Sequence, residues 1–201
     1  MRLFRPGFLA VRLFPEALFR GKTTEKVLYL TFDDGPDVIS TIPLLNILSK
    51  NKVRAVFFCS GKAASENPDL IIRIKSEGHI IGNHGYYHLN GLLTSKHRYL
   101  IDIEKAAEFT SDSLFRPPYG NIKINQYRTI KRSYKIIMWD IMPYDFDRRF
   151  GGERSLSVLK KRICPGAIVV LHDSPQSTVL EFLDTFIEFA YREGYRFDIP
   201  V

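Results

Sequence analysis

Two adjacent carboxylates and two histidines in this sequence could together hold one metal ion. Asp33 and Asp34 end an apolar, strand-like run, and His84 and His88 stand four positions apart much further along the chain. Because positions i and i+4 lie on one face of a helical turn, we expect both imidazoles to point the same way. A carboxylate from another loop completes a three-ligand set and leaves coordination positions open for water and substrate. The pattern predicts hydrolytic metal chemistry, with the second carboxylate free to act as a base.

Each motif alone has a simpler explanation, so the prediction depends on their combination. Residues 33–36, Asp-Asp-Gly-Pro, suit a plain turn. A histidine pair at i and i+4 is a common coincidence, and residues 116–119, Arg-Pro-Pro-Tyr, suit a rigid loop. A single histidine such as His172 at the end of a buried strand is usually structural. All four patterns, however, stand at predicted strand-to-loop transitions, where barrel enzymes place catalytic groups. Together they favour a metal-dependent hydrolase.

These motifs resemble those of a known family, the polysaccharide deacetylases of the chitin deacetylase and nodulation-deacetylase (NodB) type. The matching segments occur in the family's order, from about Val27 to the C-terminus: residues 31–36, 84–88, 116–119 and 169–172, followed by Asp173. The resemblance implies an α/β fold, the irregular (β/α) barrel of NodB-like deacetylases with about seven strands. It also implies a single catalytic domain over residues 25–201, preceded by a segment at residues 1–24.

The resemblance further implies a role for each matching residue. The metal ligands are Asp34, His84 and His88. Asp33 is the catalytic base, and Arg116 holds it ionised although a second carboxylate stands beside it. The backbone N–H of Tyr119 stabilises the oxyanion, and His172 protonates the departing amine. One divalent ion is expected, most readily Zn²⁺, although Co²⁺, Ni²⁺ or Fe²⁺ suit the same ligands.

Two departures from the family's pattern affect the expected site. The family supplies a carboxylate partner for its catalytic histidine from an Asp-Trp motif; here Asp145 takes the Asp place and Phe146 replaces the tryptophan, with Asp140 and Asp147 as competing candidates. Gly85 stands where the family has Ser or Thr, so a hydroxyl that fixes the histidine loop is missing. Four residues are expected to contact the substrate, although two of them, Phe146 and Leu171, suit a plain core equally well: Pro118, Tyr119, Phe146 and Leu171.

Alternating strand and helix patterns must position these groups. Strands are predicted at residues 26–32, 53–59, 79–82, 135–140 and 167–171, and helices at residues 41–49, 67–75, 95–109, 125–133, 155–163 and 178–192. Residues 114–115 lead into the loop at residues 116–119. Such alternation indicates a parallel sheet with helices outside it. Periodicity alone does not separate a barrel from an open sheet.

Length and composition indicate a single domain. The chain has 201 residues, 45% of them apolar, which suffices for one sizeable domain. Its net charge is +7, from 29 basic and 22 acidic residues, but the basic pairs are dispersed and no nucleic-acid motif accompanies them. No nucleic-acid partner is therefore expected. Cys59 and Cys164 are far apart and form no Cys-x-x-Cys pair, so we expect free thiols and leave the redox compartment open.

The first 24 residues mix apolar and basic side chains. Arg12, Pro15 and Glu16 interrupt the apolar stretch, so it lacks the unbroken core of about 7–15 residues that a secretory signal needs and the about 20 that a membrane span needs. We expect the segment to pack on or near one end of the barrel, or to touch a membrane surface. Cellular location stays open, with a cytoplasmic or peripheral membrane location favoured, and oligomeric state is undecided.

Three functions remain from different classes. The first is removal of acetyl groups from an N-acetylated polysaccharide or glycan. The second is hydrolysis of a small non-carbohydrate amide or cyclic ureide, because related barrels act on such carbon–nitrogen bonds. The third is a catalytically inactive carbohydrate-binding protein, which is disfavoured because every group needed for reaction is present in the sequence.

Overall fold

Seven strands and eight α-helices alternate through the part of the chain that the structure, a computed structural model, describes: residues 3–111 and 113–200. The strands are β1 (Val27–Asp34), β2 (Val56–Cys59), β3 (Ile80–Asn83), β4 (Leu114–Phe115), β5 (Lys135–Ile136), β6 (Ala167–His172) and β7 (Arg196–Phe197). The helices are α1 (Phe8–Leu13), α2 (Thr41–Lys50), α3 (Gly61–Glu66), α4 (Pro68–Ser76), α5 (Lys96–Ala107), α6 (Ile124–Ile130), α7 (Gly152–Arg162) and α8 (Leu183–Arg192), with short 3-10 turns at Pro118–Gly120 and Val179–Glu181.

All strand pairs in the sheet are parallel, in the order β5-β4-β3-β2-β1-β6. The short β7 pairs with Val27 and Leu28, at the start of β1. Between the outer strands β5 and β6, single bridges join Leu18 to Ile137, Arg20 to Ala167 and Ile141 to Val169. These bridges curl the sheet toward closure, which gives the irregular (β/α) barrel that the family resemblance implies.

Strand alternation divides the buried side chains into two layers. Phe57 and Cys59 of β2 pack outward in the main core with side chains of α2, α4 and α8, whereas Val56 and Phe58 point inward with Ile168 of β6. A third cluster lies beneath α5 and α6. Inward-facing residues at the carboxyl ends of the strands therefore meet at one end of the barrel, where chemistry is placed in folds of this class.

Most predicted elements are present, with shifted ends. The predicted strand at residues 135–140 is shorter, since only Lys135–Ile136 pairs as a strand before isolated bridges take over. The predicted helix at residues 178–192 is interrupted at Phe182, whose backbone (φ −137°, ψ −10°) is not helical. Helix α3 and strands β4 and β7 were not predicted, because all three are too short to show a periodic pattern.

The N-terminal segment contacts the barrel at several points. Phe19 is buried, and the ring of Phe14 lies 4.9 Å from that of Tyr127 on α6. The division into a segment of residues 1–24 and a domain of residues 25–201 stays a prediction. Residues 1, 2, 112 and 201 of these two units lie outside the described residues. Within the described ranges, no helix combines the length and apolar character needed to cross a bilayer.

Candidate active site

A cavity of about 290 Å³ opens at the carboxyl end of the strands. Its walls include both aspartates of β1, both histidines of the loop after β3, and His172 at the end of β6. Asp33 and His172 are register partners on the adjacent strands β1 and β6. The fold thus brings together groups from residues 33 to 172 that are distant in sequence.

Three ligand atoms lie close enough to bind one ion. The candidate ligand atoms of Asp34, His84 and His88 all lie within 4.8 Å of one another. His88 Nε2 is 3.2 Å and His84 Nε2 is 3.7 Å from the same oxygen, Asp34 Oδ1. Two ligand atoms of a tetrahedral ion at about 2.0–2.1 Å are roughly 3.3 Å apart, so this donor set fits a zinc-like ion with small adjustments.

Hydrogen bonds and burial prepare His84 as a neutral ligand. Its Nδ1–H donates to the carbonyl oxygen of Arg116 at 2.8 Å, which leaves Nε2 directed at the cluster. Burial lowers the pKa of His84 to about 4, so the ring is neutral at physiological pH. Burial raises the pKa of Asp34, but the hydrogen bond from His88 and the charge of His172 outweigh it and hold that pKa well below its usual value.

The expected helical turn at residues 84–88 is wrong. These residues form an irregular loop in which Gly85 (φ 74°) and His88 (φ 55°) both have left-handed backbone conformations. The rings of His84 and His88 nevertheless face the same place, with centroids 5.0 Å apart. The two imidazole rings therefore converge as the helical spacing predicted, although the backbone between them is not helical.

Asp102 of α5 holds this loop in place. Its carboxylate accepts the backbone N–H groups of Tyr86 (2.9 Å) and Tyr87 (3.0 Å), while Asn83 Oδ1 accepts that of Gly85 (2.8 Å). A Cβ on Gly85 would lie 2.7 Å from Asp102 Oδ2. Asp102 thus secures the loop without a hydroxyl at position 85, and the absence of a side chain there lets the carboxylate approach.

We predict that Gly85→Ala weakens both folding and metal binding. The change places a Cβ against Asp102 and adds left-handed strain of about 1–2 kcal/mol. Gly78→Ala is the matched control, because Gly78 (φ 84°) bears the same strain but its nearest contact, on the flexible side chain of Arg54, is 3.7 Å away. Calorimetric unfolding and Zn²⁺ titration should show similar strain in both variants but a loss of metal affinity, about 10- to 100-fold, in Gly85→Ala alone. Equal zinc affinities would contradict the role given to Asp102.

Arg116 fixes Asp33 from inside the barrel. Its fully buried guanidinium donates to Asp33 Oδ1 at 2.6 Å and to Thr31 Oγ1 at 2.7 Å. It also donates to the carbonyl oxygens of Ile137 (3.0 Å) and Met138 (2.7 Å). Asp33 Oδ2 faces the histidine side, 3.9 Å from His84 Nε2. One carboxylate oxygen is therefore engaged by the arginine and the other is directed toward the cluster.

Of the three candidate partners for His172, the structure places Asp145 next to it. His172 Nδ1–H donates to Asp145 Oδ1 at 3.0 Å, and the His172 backbone N–H donates to Oδ2 at 2.7 Å. Ser177 Oγ also donates to that oxygen. Asp140 instead pairs with Arg20 at 2.9 Å. Burial lowers the pKa of His172, but the charge and hydrogen bond of Asp145 outweigh it and raise the pKa to about 9.

A second buried carboxylate supports the turn after β1. Asp173 accepts hydrogen bonds at 2.6 Å from the hydroxyls of both Ser40 and Thr41, at the start of α2. Its backbone N–H donates to Asp33 O at 2.8 Å. A Cβ on Gly35 would lie 2.2 Å from Asp173 Oδ2, so glycine is required for this approach. Asp173 thereby links the end of β6 to the loop that carries Asp34.

The four residues expected to contact substrate differ in position. The Phe146 ring lies 4.8 Å from that of His172 at the cavity wall, and Tyr119, which is 63% exposed, lies 4.4 Å from His88. Leu171 does not line the cavity: it is fully buried in the outer core. Successive strand residues point to opposite faces, so Val170 takes the cavity side instead. Pro118 is likewise buried, lies beside Gly85 of the histidine loop and does not line the cavity.

Sequence reasoning missed three further residues of the cavity wall. Trp139, Met142 and Gly120 all line it. Gly120 (φ 66°) packs so closely on Trp139 that a Cβ would lie 2.3 Å from the indole ring. Trp139 lies shortly after the carboxyl end of the edge strand β5. This position is the signal that could have identified Trp139 as a cavity residue.

Comparisons with known proteins agree with this geometry. The polysaccharide deacetylase family model matches residues 20–139, which includes the aspartate pair, the histidine loop and the Arg116 motif. A peptidoglycan-N-acetylglucosamine deacetylase of Bacillus cereus is 31% identical over 189 residues, covering 89% of this chain and 68% of the relative. The peptidoglycan-N-acetylmuramic acid deacetylase PdaA of Bacillus subtilis is 31% identical over 192 residues, covering 90% and 73%.

A solved structure extends the similarity to three dimensions. The crystal structure of the Bc1960 peptidoglycan N-acetylglucosamine deacetylase, in complex with 4-naphthalen-1-yl-N-oxidanyl-benzamide, superposes with a TM-score of 0.88 at 29% sequence identity. The alignment covers 96% of this chain and 94% of that one. With this coverage, the likeness extends beyond residue 139, where the match to the family model ends.

Proposed function

This chain belongs to the polysaccharide deacetylase family, and we propose that it removes acetyl groups from the N-acetylated sugars of peptidoglycan with one bound divalent metal ion. As a polysaccharide deacetylase, it is a hydrolase of non-peptide carbon–nitrogen bonds. The relatives named for peptidoglycan N-acetylglucosamine and N-acetylmuramic acid support the choice of substrate.

One observation supports the reaction most directly: a base and an acid stand on neighbouring strands around a three-donor cluster. Asp33 is engaged by Arg116, His172 is engaged by Asp145, and both reach the cavity that Asp34 lines. Hydrolysis of an amide needs one group to accept a proton from water and another to supply one to the departing nitrogen. The cavity offers both.

The donor set Asp34, His84 and His88 would hold the ion. Two imidazoles with one carboxylate favour zinc, and cobalt, nickel or iron are compatible with the same atoms. When bound, such an ion polarises the acetamide carbonyl and makes water more acidic. His84 is oriented for this by its hydrogen bond to the Arg116 carbonyl.

Residues of this protein then transfer the protons of the reaction. Asp33 accepts a proton from the attacking water through Oδ2, while Arg116 holds the other carboxylate oxygen in place. The Tyr119 backbone N–H stabilises the charge that develops on the acetyl oxygen. His172 donates its Nε2 proton to the departing amine, since its Nδ1–H is held by Asp145. The products are acetate and a free amino sugar.

We predict that Asp145→Asn moves the alkaline limb of activity to lower pH. His172 must be protonated to act as an acid, and Asp145 raises its pKa to about 9, so the proton is retained through neutral pH and lost above the raised pKa. Without the carboxylate charge the limb should fall by about one to three pH units. Profiles of kcat/KM against pH test this, with Asp147→Asn as the control. A shift of the alkaline limb in the Asp147 variant, or no shift in the Asp145 variant, would show that Asp145 is not the partner of His172.

Acetate release tests the proposed function itself. Zinc-loaded protein is incubated with peptidoglycan, with N-acetylglucosamine oligomers and with small cyclic amides, and Asp33→Asn serves as the inactive control. We expect acetate from peptidoglycan, and mass spectrometry of muramidase fragments will show which sugar lost its acetyl group. Turnover of the cyclic amides with no acetate from either glycan would reject the proposal.

A further inference from the structure

Helix α1 presents an apolar face that nothing in the described chain covers. Phe8, Leu9 and Leu13 are 76%, 72% and 52% exposed, and none of the residues of α1 is buried. At helical spacing these three positions and Arg12 fall on one side of the helix, opposite Ala10, which is partly covered. We call these four residues the α1 face. Single exposed apolar residues are ordinary, but a group on one helix face marks a contact surface.

The exposure does not result from an unattached segment, because the helix is fastened on both sides. Before α1, the ring of Phe4 packs on Tyr144 at 5.5 Å, and Phe4 O accepts the backbone N–H of Met142 at 3.0 Å. After α1, the ring of Phe14 packs on Tyr127. The α1 face is thus held outward by the fold.

Basic side chains lie on the α1 face and beside Phe4, four positions before the helix begins. Arg12 belongs to it, the Arg162 guanidinium lies 5.0 Å from the ring of Phe4, and Lys161 lines a shallow groove with that ring. Two acidic neighbours among the described residues are already paired, Glu16 with Lys131 and Asp140 with Arg20. The net charge of the whole chain is +7. The combination of apolar and cationic groups complements an anionic lipid surface more closely than a purely apolar protein partner.

We propose that the α1 face docks on an anionic lipid bilayer, with Phe8, Leu9 and Leu13 inserted at headgroup depth. Arg12, Lys161 and Arg162 contact the lipid phosphates, each contributing about fivefold to the partition coefficient. The helix lies in the plane of the interface and does not cross it. This contact is separate from the deacetylase chemistry and does not depend on it.

Vesicle co-sedimentation tests the proposal. Full-length protein is mixed with vesicles of phosphatidylglycerol and phosphatidylcholine in equal amounts, and with vesicles of phosphatidylcholine alone. We expect binding to the mixed vesicles that weakens as salt is added. The double variant Phe8→Ser, Leu9→Ser should bind at least about tenfold more weakly. The matched control is Ile72→Ser, Leu93→Ser, which removes two side chains that are 64% and 86% exposed elsewhere and should leave binding unchanged.

Three results would overturn the proposal. These are no binding of the unmodified chain to mixed vesicles, equal binding by the α1 double variant, and a self-association that this variant abolishes without any vesicle binding. The double variant Arg12→Glu, Lys161→Glu should weaken vesicle binding. The control double variant Lys52→Glu, Lys62→Glu changes the net charge by the same amount and should weaken vesicle binding less. Acetate release from soluble N-acetylglucosamine oligomers is followed in every variant and should not change, so failure of the deacetylase proposal would be visible separately.

Discussion

Asp33→Asn is expected to lower kcat/KM for deacetylation by about a thousandfold, within the range of about 10²–10⁴ typical for loss of a general base. An amide has the shape of the carboxylate and can still accept the Arg116 hydrogen bond through its oxygen, but it cannot take a proton from water. The measurement is steady-state acetate release at saturating zinc. The variant should bind zinc nearly as the native chain does, because the three-donor cluster is intact.

Asp69→Asn is the control for this experiment, since Asp69 is an exposed aspartate in the first turn of α4. It should leave activity unchanged. Folding of both variants is checked by thermal unfolding, because Asp33 also neutralises a buried guanidinium. An Asp33→Asn enzyme that is folded, loaded with zinc and within tenfold of native activity would mean that another group accepts the proton.

His88→Ala should abolish zinc binding at stoichiometric concentrations and reduce acetate release to background. The change removes one of three donors directly, which costs more than the about 10- to 100-fold loss seen when only an outer partner of a ligand is removed. The His88 side chain is 29% exposed, so its removal should not unfold the barrel. Isothermal titration with Zn²⁺ and acetate release measure the two effects.

A chelator should likewise reduce acetate release by the native chain to background, and added Zn²⁺ should restore acetate release. His97→Ala provides the matched histidine control, because His97 is an exposed residue on α5. It should bind zinc and release acetate normally. Full activity of thoroughly chelated protein, or unchanged zinc affinity in His88→Ala, would show that the three-donor cluster is not the functional site.

The sequence was sufficient to predict which residues approach one another, but not the backbone that brings them together. The i, i+4 spacing of His84 and His88 predicted a helical turn, whereas the structure has a loop. Its shape depends on Gly85 in a left-handed conformation and on hydrogen bonds to Asp102. The approach of Asp102, fourteen positions after His88, is a tertiary contact that no local pattern encodes.

The partner of His172 illustrates a second limit. Asp140, Asp145 and Asp147 all lie within eleven residues after β5, in a segment without regular structure where Tyr144 has φ 64°. Periodicity cannot rank side chains along such a segment. The error at Leu171, in contrast, was avoidable, because simple strand alternation from His172 already assigns Val170 to the cavity side.

The arrangement around Arg116 has an evolutionary consequence. The Arg116 side chain donates hydrogen bonds to the base Asp33 and to backbone carbonyls that follow β5 in the chain. Its guanidinium also lies over the ring of Phe58, 4.2 Å from the ring centroid. Arg116 therefore serves both catalysis and closure of the barrel, and a substitution of Arg116 would impair both at once. A lineage drifting toward a new substrate can vary rim positions such as Phe146 and Met142 freely, while the arginine is expected to be the last member of the site to change.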